Sequence, residues 1–351
     1  MVAAQVIGVG SYAPERRLDN AELSRTVETS DAWIRERTGI GERRIAAPDE
    51  AASDLATAAA KRALAVAGLQ PNDIDMVMVA TVTGDRPLPA TAAIVQRKLG
   101  ITNRCGAFDL AAACAGFVYG LGLGNALIGQ GQCRHVLVIG VEVLSRFVNW
   151  EDRTTCVLFG DGAGAVVLGP GAAEAPAGID GVHLHCQGSM SHLLTIPAGG
   201  SEKPASGASL AEREHYVRME GQDVFRVAVK ELASACLSAI DALQMTTSDV
   251  DWVVAHQANE RILEAVAQRS GIPFERFFRN IARYGNTSSA SIPLALDEAY
   301  RSGSLEPGSK LVLCALGAGI AWGSCVLRWQ LPKPTPQPTR QRGESPSESV
   351  A

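Results

Sequence analysis

No two of the eight cysteines are spaced C-x-x-C; Cys105, Cys114, Cys133, Cys156, Cys186, Cys236, Cys314 and Cys325 are scattered singly. Paired-cysteine motifs are therefore excluded, and a chain of 351 residues has no need of disulfide staples. The expectation is reduced thiols in a cytoplasmic protein. A basic surplus is lacking too: 32 Lys and Arg face 37 Asp and Glu, a formal net charge of −5. Nucleic acid is not an expected partner, because it calls for a basic surface. Any acidic partner must meet a local basic patch. Long apolar runs are also missing. "MVMVATV" and "HVLVIGV" are far too short to span a bilayer, so no membrane partner is expected. "MVAAQVIGVGSYAPE" has no positive n-region and carries Gln5 in its apolar run; it reads as a first strand, not a signal peptide.

Two glycine-rich stretches fail as nucleotide-binding signals. "FGDGAGA" leads into the strand-like "VVLGPG", where a dinucleotide fingerprint needs a helix, and "VIGVGSYAPE" fails the same test. A nicotinamide-dependent dehydrogenase is disfavoured on that ground. "HLHCQGSMSH" puts His183 and His185 on one strand face with His192 in a nearby loop. No carboxylate or second cysteine completes a ligand set, so no metal is expected.

What is present is an α/β alternation in a chain that is 46% hydrophobic, enough for two domains or one large duplicated one. "DMVMVAT" and "HVLVIGV" are continuous apolar runs, as in strands buried on both faces. "DLATAAAKRALAVAG" reads as a helix with Ser53 as N-cap and Gly68 as its stop. The chain also echoes itself. "NDIDMVMVA" resembles "SDVDWVVAH", aligning Asp73 with Asp249 and Asp75 with Asp251 at one offset of 176 (249 − 73, 251 − 75). "RHVLVIGVE" resembles "SKLVLCALG", aligning Val136 with Leu311 at 175 (311 − 136). Landmarks in one order at nearly one offset imply two halves of like topology, with a site where their strand ends meet. The expected halves are 1–175 and 176–330. The Pro- and Ser-rich tail 331–351 cannot bury apolar surface and is expected to be disordered.

Four short stretches carry candidate chemistry. In "FDLAAACAGF", Cys114 sits among alanines, where a free Cys ordinarily packs as a small hydrophobe. It precedes "AGFVYGLGLGNALIGQG", which is apolar at helix-like spacing. At the turn into that helix, the helix N-terminus is expected to lower the thiol pKa, and the small neighbours let a substrate approach. The echo aligns Ala80 with His256 of "HQANERI", placing the His at the carboxyl end of a strand. Taken alone, such a His is more often structural. Asn286 of "YGNTSSAS" lies in a loop before a helix that begins near Ser291; taken alone, it is a turn former. Together the three supply a nucleophile, a proton-handling group and a neutral donor. "LGAGIAWGS" is either a tight hairpin or a turn whose N–H groups hold an oxyanion.

With "GSYAPE", "TSDAWIRERTGI" and "FGDGAGA" in the same order, the chain from Val6 to about Trp329 resembles the bacterial β-ketoacyl-acyl carrier protein synthase III family. The resemblance implies the thiolase fold: two βαβαβαββ halves in a five-layer αβαβα arrangement, as a homodimer. It implies decarboxylative condensation of an acyl-coenzyme A starter, acetyl-coenzyme A first, with malonyl-acyl carrier protein. Acyl-coenzyme A is then a substrate and no cofactor is resident. Cys114 is the implied nucleophile and His256 and Asn286 complete the catalytic set; the N–H groups of Cys114 and Ala318 form the oxyanion hole. Trp33, Arg37 and Arg153 flank the coenzyme A nucleotide, and Gln257, Ala258, Asn259, Glu260 and Arg261 match the carrier-protein contact. Arg226, Lys230, Arg269, Arg276 and Arg279 extend that contact as a basic face. Three departures stand out: Leu88 replaces a common Phe that reaches the partner subunit's acyl pocket, Glu260 replaces a common Leu, and "GAGIAWG" replaces a triple-Gly turn. The alternatives are a starter synthase or acyltransferase of secondary metabolism, and a non-catalytic thiolase-fold subunit, which would lack the Cys kept here.

Overall fold

Apolar runs with no polar face settle only in sheets that are covered on both sides. The computed structural model describes residues 3–171 and 178–334. The chain opens with β1 (Ala4–Tyr12), β2 (Arg16–Asp19), α1 (Asn20–Leu23), α2 (Asp31–Thr38) and β3 (Glu42–Ile45). It continues through α3 (Ala52–Ala67), β4 (Met76–Ala80), α4 (Thr91–Leu99), β5 (Gly106–Leu110) and α5 (Gly116–Gly129). Then come β6 (Val136–Glu142), α6 (Arg153–Cys156) and β7 (Gly162–Pro170). Next are β8 (Gly178–Cys186), β9 (Leu194–Thr195), α7 (Gly207–Ala211), β10 (Arg218–Met219) and α8 (Gly221–Asp241). The last elements are β11 (Trp252–Ala255), α9 (Glu260–Ser270), α10 (Ile281–Tyr284), α11 (Ser291–Arg301), β12 (Lys310–Gly317) and β13 (Ala321–Arg328).

Two main sheets form, ordered β1-β7-β6-β4-β5 and β11-β12-β13-β8. Between them lie α5 and α11. One core cluster joins Phe117 and Leu121 of α5 and Ile292 and Leu296 of α11 to Val138 of one sheet and Leu313 of the other. On the outer side of the first sheet, Leu55 and Ala63 of α3 and Val95 of α4 pack on Val77 and Ile139. On the outer side of the second, Leu232 of α8 and Leu263 and Val266 of α9 pack on Val253 and Val312. The result is five layers, helix–sheet–helix–sheet–helix, the thiolase arrangement.

The sequence echo has a hydrogen-bonding basis. The Asp75 N–H donates to the His135 carbonyl, and its carboxylate accepts from the His135 N–H (both 2.9 Å). The Asp251 N–H donates to the Lys310 carbonyl (3.0 Å) and its carboxylate accepts from the Lys310 N–H (2.8 Å). Each aspartate thereby sets a parallel pair, with Met76 opposite Val136 and Trp252 opposite Leu311. The sheets differ at one edge: where β5 lies in the first, the second has a single parallel bridge from Val253 to Phe277.

Three local expectations change. Ser53 is not the N-cap of α3; Ala51 is, and the Ser53 N–H and Oγ both donate to the Asp85 carboxylate (2.8 and 2.6 Å). Leu331, the first residue of the expected tail, is buried in the central core, while residues 335–351 lie outside the described ones. In "FGDGAGA", the buried Asp161 carboxylate accepts from the N–H groups of Ala46 and Ser145 (2.8 Å each), so that motif ties the fold together.

Gly140 of β6 has no room for a side chain, because a Cβ there would run into the Ser289 carbonyl. Gly140→Ala should cost about 1–3 kcal/mol, the usual scale of overpacking. Gly188→Ala, in open space, should change stability by less than about 0.5 kcal/mol. Urea midpoints of the two variants check this.

Candidate active site

The duplication brings two strand-to-helix turns together. Cys114 sits in the turn Ala113–Ala115 that leads into α5, and Ser288 in the turn Ser288–Ala290 that leads into α11. Ala113 and Ser288 occupy equivalent places, 175 residues apart (288 − 113), and both hold left-handed backbone, with φ of 45° and 49°. Such strain persists only where the surroundings over-determine it. Gly317, at the end of β12, backs the first turn so closely that a Cβ would lie 2.5 Å from the Cys114 nitrogen. The segment after it is a tight hairpin, with Gly317 paired to Ala321, and it also puts Ala318 beside Cys114. The hairpin reading of that glycine-rich turn therefore holds.

Cys114 borders two spaces. One, of about 400 Å³, is mostly apolar and takes in Val82, Leu144, Ser288 and Ala318. The other is a cleft shared with His256, Asn286, Phe225 of α8 and Ile262 of α9. The three candidate catalytic side chains thus open on one space.

Burial dominates their protonation. It pushes the Cys114 thiol up to about 12, with the Ser288 hydroxyl opposing and the Glu142 charge adding to the rise. Burial works against the lowering expected from the helix N-terminus: desolvation of an 8% exposed thiol raises it, and Cys114 is protonated at rest. Burial alone pushes His256 down to about 3, so its ring is neutral. Its Nδ1 lies 2.7 Å from Ser291 Oγ, which is also 2.8 Å from the Ser288 carbonyl. One hydroxyl proton serves two acceptors. Directed at the carbonyl, it leaves Nδ1 as the protonated ring nitrogen and Nε2 as an acceptor. Directed at Nδ1, it makes Nε2–H a donor. Asn286 is oriented by its Oδ1, which accepts from the Ser288 N–H (2.9 Å), so its NH₂ is the end left to donate. Sequence reasoning passed over Ser288, Ser291 and Glu142. The signal for Ser288 was its echo of Ala113; for Glu142 it was a carboxylate closing the apolar run "HVLVIGVE".

The other expected site residues divide. Two guanidinium groups lie near the ring of Trp33 of α2, Arg37 at 4.9 Å and Arg153 of α6 at 5.1 Å from its centroid. Arg153 also donates to the Glu28 carbonyl. Gln257 points inward: its Nε2 donates to the Ala255 and Phe278 carbonyls and its Oε1 accepts from the Asn280 N–H, so its side chain cannot meet a partner. Ala258 borders the cleft. Asn259 caps α9 and donates to the Arg37 carbonyl (3.0 Å). Glu260 lies over Gly39 and 3.9 Å from Arg279. Arg261 and Arg269 are exposed on α9. Arg276 is not part of a basic face, because it donates to the Thr247, Ser248 and Val250 carbonyls. Arg226 and Lys230 are paired with Asp223 and Glu231 on their own helix. Leu88 is 83% exposed and lines neither space. His183 and His185 stack, and His185 lies on Trp322 at 5.4 Å.

A doubled sheet with a buried thiol at the junction of its two turns is the arrangement of a thiolase-fold condensing enzyme. Residues 108–188 match the family described as 3-Oxoacyl-[acyl-carrier-protein (ACP)] synthase III, and residues 240–329 match its C-terminal region. The chain is 48% identical to the β-ketoacyl-[acyl-carrier-protein] synthase III of Caldanaerobacter subterraneus over 93% of its length and 98% of the relative's. It superposes on the crystal structure of 3-oxoacyl-(acyl carrier protein) synthase III from Pseudomonas aeruginosa PAO1 with a TM-score of 0.86 at 44% identity, covering 95% and 100% of the two chains. The priming β-ketosynthase of a polyketide biosynthetic pathway is similar too, with a TM-score of 0.87 at 36% identity over 94% and 97%. The chain belongs to the β-ketoacyl-acyl carrier protein synthase III family and is an acyltransferase-type condensing enzyme.

Neutral His256 has a stability consequence. Unfolded, it takes a proton near about pH 6.5; folded, only near about 3. A lowered folded pKa means that acid favours the unfolded chain. Between about pH 6.5 and 5 this single group should remove about 2 kcal/mol. Urea titrations at both ends of that range should show His256→Asn losing less stability than the parent.

Proposed function

We propose that this enzyme condenses a short acyl-coenzyme A, acetyl-coenzyme A first, with malonyl-acyl carrier protein and so initiates fatty-acid synthesis. The observation that carries this reading is the shared cleft of Cys114, His256 and Asn286. Cys114 sulfur attacks the acyl-coenzyme A carbonyl, and the N–H groups of Cys114 and Ala318 hold the oxyanion. Coenzyme A leaves, and the acyl group stays on sulfur. Malonyl-carrier protein follows into the cleft. As carbon dioxide departs, charge builds on the thioester oxygen, where His256 Nε2–H and the Asn286 amide donate. Ser291, with its hydroxyl turned to Nδ1, keeps the imidazole in that tautomer. The enolate carbon attacks the acyl-cysteine carbonyl, and Cys114 leaves as thiolate. Neutral donors suit this step, since they stabilise an enolate without protonating it.

Adenine, flat and π-rich, is assigned to the stack at Trp33, Arg37 and Arg153. Acyl-coenzyme A is a substrate and no cofactor is needed. The acidic carrier protein is assigned to Arg261, next to the cleft-lining Ile262, with Ala258, Asn259 and Glu260 at the same helix start and Arg269 further along α9. We assign the halves to residues 1–175 and 176–330. A homodimer is favoured by the edge strand β5, whose Phe108 is 37% exposed, and by Leu88, which would enter the partner's acyl pocket. Among the described residues no helix is long and apolar enough to cross a membrane, in keeping with a cytoplasmic place.

Purified protein given malonyl-carrier protein and a panel of acyl-coenzyme A starters should form 3-oxoacyl-carrier protein. Peptide mass spectrometry should find the acyl group on Cys114 alone. Acyl on another cysteine, or none with any starter, sinks the assignment. Ala at His256 or Asn286 should cut carbon dioxide release by about 100-fold and acyl loading by much less. Equal losses would contradict the division of roles.

Rim charges act on association and are screened by salt. Arg261→Glu should therefore raise KM for malonyl-carrier protein and flatten its salt dependence, with acyl loading from coenzyme A intact. Initial rates over a salt series check this, and equal damage to both half-reactions would place Arg261 elsewhere.

A further inference from the structure

Glu142 is a fully buried carboxylate that takes no part in the steps assigned to Cys114, His256 and Asn286. It ends β6, the apolar strand beside β4, and every neighbour it has there is a donor. Thr83 Oγ1 donates to it at 2.5 Å, the Val82 N–H at 3.2 Å, Thr81 Oγ1 at 3.3 Å and Ser288 Oγ at 3.2 Å. Thr83 is itself held, accepting from the Val143 N–H at 2.8 Å. Four donors on one fully buried carboxylate fix its position and give its charge a place to reside. They do not explain why a carboxylate should be there, since an apolar side chain with apolar neighbours would fill the space at less cost.

Ser288 supplies the reason. Its hydroxyl donates to Glu142, which leaves its lone pairs to accept from the Cys114 thiol that lines the same cavity. It stands in the wall of the cavity that Cys114 borders, held there in a strained backbone conformation. Thiol, hydroxyl and carboxylate form a line from the reacting sulfur into the core.

We propose that Ser288 and Glu142 are a proton relay for Cys114: the thiol proton passes to Ser288 Oγ as the Ser288 proton passes to Glu142. The products are a thiolate, an unchanged serine and a neutral carboxylic acid, so charge moves but none is created. When coenzyme A departs as a thiolate, the same line returns the proton through Ser288. This rests on Cys114 being the nucleophile. Ser288 touches the reacting atom; Glu142 acts through it and is a positioning residue.

Two further facts fit. Burial raises Glu142 to about 7, so it changes protonation near neutrality, whereas His256, lowered to about 3, is a poor proton acceptor. The titratable group that faces Glu142 from the elements packed on it is Cys114. The loop after β4 and the turn before α11 present hydroxyls and an amide. Asp161, next to its cross-strand partner Gly162, turns instead to Ala46 and Ser145. His256 turns to Ser291.

The test is the pH dependence of Cys114 alkylation by iodoacetamide and of its acylation by acetyl-coenzyme A in a single turnover, followed on the Cys114 peptide. In the parent, both rates should rise to a plateau as Glu142 ionises, near about pH 7. In Glu142→Gln, and separately in Ser288→Ala, that step should vanish. The rate at neutral pH should fall about 100-fold, the scale of losing a general base, and climb only where the thiol itself ionises. The double variant should be no slower than either single one. The carboxylate as a mere neighbouring charge predicts the opposite sign: Glu142→Gln would react faster, because a repelling charge is gone. A purely structural role predicts slower rates with the step still in place. Either result, or Ser288→Ala with the parent's profile, overturns the relay. A parent protein in which Cys114 is never acylated would instead overturn the assignment of the nucleophile.

Discussion

The structure depends on the contact between two turns that the duplication makes equivalent. Each leads from a sheet edge into a helix of the central layer, and each holds one non-glycine residue, Ala113 or Ser288, in left-handed backbone. Neither turn would keep that shape alone. They keep it because β6 and β12 leave no space around them: Gly140 admits the Ser289 carbonyl, and Gly317 admits the Cys114 nitrogen. Cys114, Asn286 and Ser288 have their positions from this contact, and His256 lines the same cleft from the end of β11. A close-packed interior transmits small shifts, so the strain of the turns and the geometry of the site are one property.

Excluding water has a second effect. A thiol pushed up to about 12 and an imidazole pushed down to about 3 are both neutral at rest. No ion pair of the Cys–His kind forms, and desolvation is the reason: the separated charges would cost more than their attraction returns at that depth. Reactivity must then arise as the substrate arrives, by moving a proton between groups already in contact. For the later step the same neutrality is an advantage, since a charged imidazolium would protonate an enolate that must attack carbon.

The fold was legible because its repeat is written in polar residues with one geometric task. Asp75 and Asp251 each tie a strand start to its parallel neighbour, and their spacing from Asp73 and Asp249 survives where the apolar residues between them have changed. Cys114, His256 and Asn286 could be expected to meet because motif order is local information, and they line one cleft. What could not be read was depth. A helix terminus lowering the thiol is a short-range effect that sequence position suggests; the burial that opposes it comes in part from β12, whose Gly317 lies against the Cys114 nitrogen from about two hundred residues away along the chain. Ser53 looked like a cap because Asp85, which does the capping, lies in a loop with no fixed spacing to it. Gln257 and Arg276 looked like surface groups because polar side chains usually are, yet both are engaged by backbone carbonyls, Gln257 in the buried core and Arg276 half-buried.

The same internal use of polar groups links the entrance to the site. Asn259 caps α9 with its Oδ1 and donates from Nδ2 to the Arg37 carbonyl, at the end of the helix that carries Trp33. Three residues back along the chain is His256. One short segment therefore joins the neutral imidazole, the aromatic stack and the exposed Arg261. Under the roles assigned above, the two substrates, one with a nucleotide and one with a protein at its far end, would press on opposite ends of that segment while their thioesters use the same cleft. Their binding is then mutually exclusive at the sulfur and yet adjacent at the rim, which is what a reaction in two successive acyl transfers requires.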